Sequence, residues 1–436
     1  MAYYIEPKVL KGFRDFLPQA ETIRRSLTEK IEGTFRSFGF VPIDTPALEY
    51  AEILLGKGGG ETEKQIYRFK DNGERDVALR FDLTVPFARF VALHRAELSF
   101  PFKRYHIGKV WRGENTQRGR YREFTQCDFD IIGTDSIASD FEIIYLIYAT
   151  FFNLGLNVTI HVNHRGLFNR FLSFIGQSDK SVEVLRTVDK LSKIGEEETL
   201  KDLSGLAGET NAKKILEFIK AKGTFAQTLD RVTELSGGVS PETERLSSLR
   251  QFMIDATGAD TDPFILNPSI TRGLDYYTGV VFETFLNELP DIGSICSGGR
   301  YDNLAGLYSK ERDSISGVGT SIGLDRLIAA LESLGKLPDA NSHTAAVACL
   351  NAEKAGQYQA LARKLRQRGV PCEVFTEGSE KQLVKQYMLA EKKGLRYVII
   401  PGEDPLNGNV TLRDLTSRQN TELTLDDLIK KVLKNN

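Results

Sequence analysis

The stretch "VWRGENTQRGRYREF", residues 110–124, decides the fold. The flanks on either side of its polar centre alternate. "FKRYHIGKVWRGE" (102–114) runs in, "NTQRGRYR" (115–122) turns, and "EFTQCDFDIIG" (123–133) runs out. This pattern predicts two strands around a polar turn. Period two places Phe124, Gln126, Asp128 and Asp130 on one face of the second strand, and Arg112 on a face with Val110 and Glu114. A buried sheet face is ordinarily apolar, so a face carrying a glutamine and two aspartates reads as the floor of a site. Arg112, in the strand ahead of the turn and beside Glu114, is a guanidinium steadied by a carboxylate. Such a group suits a phosphate or carboxylate ligand. Arg118 and Arg120, taken alone, read equally well as a solvated hairpin tip.

Upstream, Pro18 opens a segment with Ile23, Leu27, Ile31, Phe35 and Phe38 at helical spacing, which predicts an amphipathic helix over 18–38. "GFVPIDTPALEY" (39–50) then reads as a strand that Pro42 and Pro46 confine to an edge, a bend or an interface. "GKGGGETEK" (56–64) lacks the terminal G-K-[ST] of a phosphate loop and reads better as a loop folding over a substrate. "LRFDLTVPFARF" (79–90) places Asp82 and Thr84 on one face of a strand, where an acid and a hydroxyl can bind an ammonium. The competing reading is a cap, since both residue types open helices.

Downstream, residues 140–155 predict a helix. Residues 166–257 read as a helical insertion in a larger sheet domain, and the sheet resumes near Phe264. "TRGLDYYTGVVFE" (271–283) sets Arg272, Tyr276 and Tyr277 among glycines ahead of a strand-like run. "SGVGTSIGLDRLIAAL" (316–331) predicts a helix from about Ser321. Its Arg326 is either a helix-surface cation paired to Asp325 or a ligand contact. After Leu337, "AAVACL", "PCEVF" and "YVIIPG" alternate with helical segments, which predicts a small, largely parallel α/β domain.

With 436 residues, 41% hydrophobic and 27% charged, the chain is sized for two or three domains of a soluble enzyme. No secretory or membrane-spanning run stands out. Cys127, Cys296, Cys349 and Cys372 form no C-x-x-C pair. This argues against a disulfide scaffold or a zinc site and for a reducing, cytoplasmic setting. The five scattered histidines suggest no metal site. A net charge of −2 gives no global pull on nucleic acid, though local basic patches remain compatible with it.

Taken together, the arginine-bearing hairpin and the glycine-rich strand–helix resemble motifs 2 and 3 of class II aminoacyl-tRNA synthetases. "GFVPIDTPALEY" is similar to motif 1, the dimer-interface segment. "KGFRDFLP" (11–18), "RGLDYYTG" (272–279) and "GGRYDNL" (298–304) narrow the resemblance to the histidyl-tRNA synthetase family, over nearly the whole chain. It implies an α+β fold. An antiparallel sheet core flanked by helices would occupy 1–165 and 258–336, the helical insertion 166–257, and a C-terminal α/β anticodon-binding domain 337–436. It also implies a cytoplasmic homodimer, not bound to a membrane, that uses ATP with Mg2+, L-histidine and tRNA(His). By the same resemblance Asp82, Thr84 and Gln126 hold the α-amino group. Asp130 and Tyr277, with Tyr276 adjacent, read the imidazole. Arg112 and Arg272 flank the α-phosphate as the catalytic pair, Glu114 lies near the adenine, and Arg326 lies near the γ-phosphate. Gln117, Arg118 and Arg120 would touch the acceptor end of the tRNA. Asp82 and Asp130 stand where many bacterial members carry glutamate, and "DLTVPFAR" and "CDFDI" resemble a eukaryote-like branch. Two other readings are a non-catalytic relative that regulates ATP phosphoribosyltransferase and a class II synthetase for another amino acid.

Overall fold

In a computed structural model the decisive segment folds as two ten-residue antiparallel strands, β2 (Phe102–Trp111) and β3 (Glu123–Ile132). The structure describes residues 4–56, 61–188, 191–258, 264–270, 276–309, 314–338, 342–406 and 408–434. The two strands belong to an eight-stranded sheet that also contains β1 (Val41–Pro42), β4 (Val158–His164), β5 (Phe264–Leu266), β6 (Val280–Leu286), β7 (Cys296–Tyr301) and β8 (Gly317–Gly323). The order is β1-β2-β3-β8-β7-β6-β4-β5. Pairing is antiparallel from β2 to β4, and only the two edge pairs, β1 with β2 and β4 with β5, are parallel. The result is a mixed sheet core with flanking helices.

The alternation in β3 divides the sheet into two unlike faces. Cys127, Phe129 and Ile131 point to one side and are buried. There Phe35 of helix α1 (Pro18–Ser37) packs 4.6 Å from the Phe129 ring and 5.7 Å from Tyr105. Gln126, Asp128 and Asp130 point to the other side, where helix α2 (Thr84–Leu93) contributes Phe87, Ala88 and Val91 to a cluster with Tyr301 and Leu304. Helix α3 (Ile137–Asn153) follows β3, and α4 (Leu324–Ser333) follows β8. Helices are the regular elements of the described part of residues 165–257. Reciprocal capping boxes at Thr224/Gln227 and Ser240/Thr243 define two of the helix starts.

Several expectations are corrected. Asp82 and Thr84 do not lie on a strand: the strand ends at Leu79, and Thr84 opens α2. Pro86 is compatible with that helix because the first N–H groups of a helix need no intrahelical acceptor. The helix in "SGVGTSIGLDRL" begins at Leu324, not Ser321, because Gly317–Gly323 is a central strand between β3 and β7. Arg112 stands one residue beyond β2 rather than inside it.

The chain divides into two compact units, residues 1–15 with 28–337 and residues 16–27 with 338–436. The second contains a five-stranded sheet, and it is mixed rather than largely parallel. Cys372–Val374, Ser342–Val347 and Leu395–Pro401 pair in parallel, while Val410–Asp414 and Gln419–Leu423 add an antiparallel hairpin.

Candidate active site

One pocket lies on the polar face of the sheet, and Asp82, Thr84, Gln126, Asp130, Tyr276 and Tyr277 line one part of it. Arg112, Glu114, Arg120 and Arg326 line another. These residues are separated by up to some two hundred and forty positions in sequence, and the sheet order brings them together. β8 inserts between β3 and β7, so the motif ending in Arg326 sits beside the hairpin bearing Arg112. Glycines make the approach feasible. A Cβ on Gly319 would lie 1.8 Å from Asp130 Oδ1, and one on Gly298 would lie 2.2 Å from the Gly319 carbonyl.

The polar end is built around carboxylates. Asp82 is 1% exposed. Its Oδ1 accepts from the Val85 backbone N–H at 3.1 Å, so it does cap α2, and its Oδ2 accepts from the Tyr276 hydroxyl at 3.2 Å. Burial pushes its carboxyl above the usual range, opposed by the Val85 hydrogen bond and by the Arg112 charge. The Gln126 amide donates from Nε2 to Ser321 Oγ at 2.8 Å. That fixes the amide's orientation, and Oε1 has no hydrogen-bond partner among the described residues. A carboxylate, a hydroxyl and a free amide oxygen form an acceptor set for an ammonium. Tyr276 and Tyr277 meet edge-to-face at 5.0 Å, and burial pushes both phenols above their ordinary value.

The basic end is anchored by backbone carbonyls. Arg112 Nε donates to the Phe81 carbonyl at 2.9 Å, and its Nη1 lies 3.9 Å from Glu114. Arg120 lies 3.7 Å from the same carboxylate. Arg326 donates from Nη1 to the Ser294 carbonyl. Burial pushes Arg326 below its ordinary value, and the like charges of Arg120 and Arg112 push the same way, against Glu114 and Glu283. Cations crowded together in a partly buried cleft form a ready counter-charge for a polyanion.

Among the residues expected to contact tRNA, Arg120 reaches the pocket. Arg118 points to the Glu332 carboxylate at 3.8 Å, and Gln117 pairs with Arg120 across the turn. Arg272, expected as a catalytic residue, lies outside the described residues, as do residues 57–60 of the expected substrate loop. The structure adds groups that the sequence did not single out. Arg104 pairs with Asp130, Tyr301 donates to Asp130, and Arg14 pairs with Asp325 while lying 3.4 Å over the Tyr121 ring. Arg104 shares its strand parity with Val110, but nothing in the sequence fixes the cross-strand register that sets it against Asp130.

A family model described as "Histidyl-tRNA synthetase" matches residues 12–327, and one described as "Anticodon binding domain" matches residues 344–435. The chain is 52% identical over 449 aligned residues to a histidine–tRNA ligase of Treponema denticola, covering 99% of both chains. It is 46% identical to one of Rhodopirellula baltica, covering 96% of both.

The chain belongs to the histidyl-tRNA synthetase family.

The crystal structure of histidyl-tRNA synthetase from Nostoc superposes with a TM-score of 0.88 at 31% identity, over 99% of this chain and all of that one. A regulatory subunit/histidyl-tRNA synthetase structure from Bacillus halodurans has a TM-score of 0.74 at 22% identity, a likeness of fold alone.

Proposed function

We infer that the protein is a histidine–tRNA ligase. It activates L-histidine with ATP to histidyl-adenylate and diphosphate, then transfers histidine to the 3′ end of tRNA(His). The observation that carries this is the shared pocket, which brings an ammonium-type acceptor set, a buried carboxylate and two phenols together with crowded arginines. In this reading Asp82, Thr84 and the free Gln126 oxygen receive the three ammonium protons. Asp130 accepts from the imidazole N–H, and Tyr277 serves the other ring nitrogen, with Tyr276 braced against Asp82.

The histidine carboxylate attacks the α-phosphorus in line, the P–O bond to the β-phosphate breaks, and diphosphate leaves. A carboxylate is already a competent nucleophile, so the step needs alignment and charge neutralisation more than a general base. Arg112, fixed by the Phe81 carbonyl, faces the α-phosphate, Arg326 faces the γ-phosphate and Glu114 lies near the adenine. Arg272 is proposed as the second catalytic arginine from its place in "RGLDYYTG". Mg2+ arrives with the nucleotide as part of the substrate. Glu283 is a pocket carboxylate beside Arg326, and a hard oxygen donor of this kind would suit that Mg2+. In the second step a terminal ribose hydroxyl attacks the adenylate carbonyl and AMP leaves, with Gln117, Arg118 and Arg120 on the hairpin turn facing the acceptor end. Residues 337–436 are proposed to read the anticodon.

The exposed Val41, Leu48 and Tyr50 belong to "GFVPIDTPALEY", and Val41 lies on edge strand β1. This segment is proposed as the homodimer contact. Histidine-dependent ATP–pyrophosphate exchange, with and without tRNA(His), tests the function. Exchange with histidine and charging of tRNA(His) are expected. No exchange would mark a regulatory relative, and exchange with a different amino acid would mark a synthetase of other specificity.

A further inference from the structure

One buried charge in the polar face has no part in the chemistry described so far. Arg104 of β2 is 0% exposed and lies directly across from Asp130 of β3. Its Nη2 is 2.6 Å from Asp130 Oδ2, and its guanidinium carbon lies 4.1 Å from the centre of the Phe87 ring. The other carboxylate oxygen, Oδ1, accepts from the Tyr301 hydroxyl at 2.7 Å. On the far side Asp130 faces Gly319 of β8, where a Cβ would stand 1.8 Å from Oδ1. Asp130 is therefore held by a cation on one side, a phenol on another and bare backbone on a third, and it lines the pocket.

We propose that Arg104 is the positioning residue that sets selectivity for histidine, by holding Asp130 as an oriented carboxylate that accepts the imidazole N–H. This rests on the reading that Asp130 meets the ring. A neutral imidazole presents one N–H and one bare nitrogen. A carboxylate can only accept, so it selects a ring that donates toward it, whereas a protonated carboxyl offers a donor of its own and loses that discrimination. An ionised carboxylate this deeply buried is costly without a counter-charge. The groups that face it are Arg104 from β2, Tyr301 from β7, Tyr277, and Asp128 along its own strand. Arg104 is the cation in that set. Burial pushes the Asp130 carboxyl upward, while Arg104 and Tyr301 push it down. The guanidinium lies against the Phe87 ring and makes no hydrogen bond to the described residues, so its hold on the carboxylate is the charge pair itself.

Arg104→Met keeps the length and removes the charge. In the full chain it is expected to raise the KM for histidine in ATP–pyrophosphate exchange by roughly tenfold or more, leaving the KM for ATP unchanged. The defect should shrink as pH rises, because higher pH ionises the buried carboxyl that Arg104 no longer supports. Arg104→Lys keeps the charge but not the planar fork and should recover part of the loss. An unchanged KM for histidine, or equal losses for histidine and ATP at every pH, overturns the proposal. Should thermal melts show Arg104→Met to be unfolded, Arg104→Lys decides by the same split, with a rise in KM confined to histidine expected. Asp130→Asn separates the two levels. If it leaves the KM for histidine unchanged, the reading of Asp130 itself fails; if it raises that KM and the Arg104 variants do not, only the role of Arg104 is overturned.

Discussion

Arg112 is held in place by protein alone, through the Phe81 carbonyl on one side and Glu114 on the other. A preorganised charge needs little reorganisation when the phosphate becomes crowded in the transition state. Arg112→Ala is therefore expected to slow single-turnover adenylate formation on the order of 100-fold or more, with an unchanged melting temperature, since the residue is outside any core cluster. Rapid-quench measurement at saturating ATP checks this, and activation at the parent rate would remove Arg112 from the chemistry. Asp128 gives a test of a different kind. Burial pushes it from the usual 3.8 to about 7, so the folded protein binds a proton that the unfolded chain has already released. Its contribution to stability is full below the unfolded value and is lost as pH rises toward about 7. Asp128→Asn, which cannot lose that proton, should gain melting temperature over the parent as pH rises from about 4 to about 7, and the gain should level off above. A difference that is flat with pH would show that Asp128 does not titrate as described.

Between residue and domain, the elements carry two roles at once. Asp82 caps α2 and also faces the pocket. Asn keeps the capping oxygen and removes the charge, so Asp82→Asn should lose no melting temperature, and should gain some as pH rises because burial raises the carboxyl it replaces. The same variant should raise the KM for histidine. If the melting temperature falls as that KM rises, the cap and the ligand contact cannot be separated. The hairpin at 102–133 and the helical insertion were legible in sequence because their periodicities run for ten residues or more. Thr84 was misread because Pro86 suppresses the helical signal at a position where a helix tolerates proline. The end of the strand Gly317–Gly323 was placed three residues early because its small residues answer to the bulk of Tyr301 and Asp130 across the sheet, a constraint that local pattern does not contain. The hairpin of Val410–Asp414 with Gln419–Leu423 went unread for a local reason. Arg418, at φ 56°, takes the left-handed position that glycine or asparagine ordinarily marks. The acid and amide on the floor of the site were visible by alternation, but Arg104 and Tyr301 depended on register and strand order.

For the whole molecule, each of the two units has its own sheet, and the family match extends through both. Among the described residues no helix is long and apolar enough to cross a membrane. Removing residues after about 341 is expected to spare adenylate formation and impair charging of tRNA(His); parallel assays of exchange and aminoacylation separate the two, and equal loss of both would undo the division of labour. Val41 and Tyr50 are exposed on the outermost strands of their sheets. Val41→Glu with Tyr50→Glu should shift sedimentation from dimer to monomer, and an unchanged profile would place the contact elsewhere. The most direct measurement is a crystal structure of the protein soaked with ATP and L-histidine. The expected result places the Asp130 carboxylate within hydrogen-bond distance of an imidazole nitrogen, the Gln126 oxygen and Asp82 around the ammonium, and Arg112 and Arg326 against the triphosphate. Histidine bound away from Asp130, or the two arginines turned from the phosphates, would contradict it.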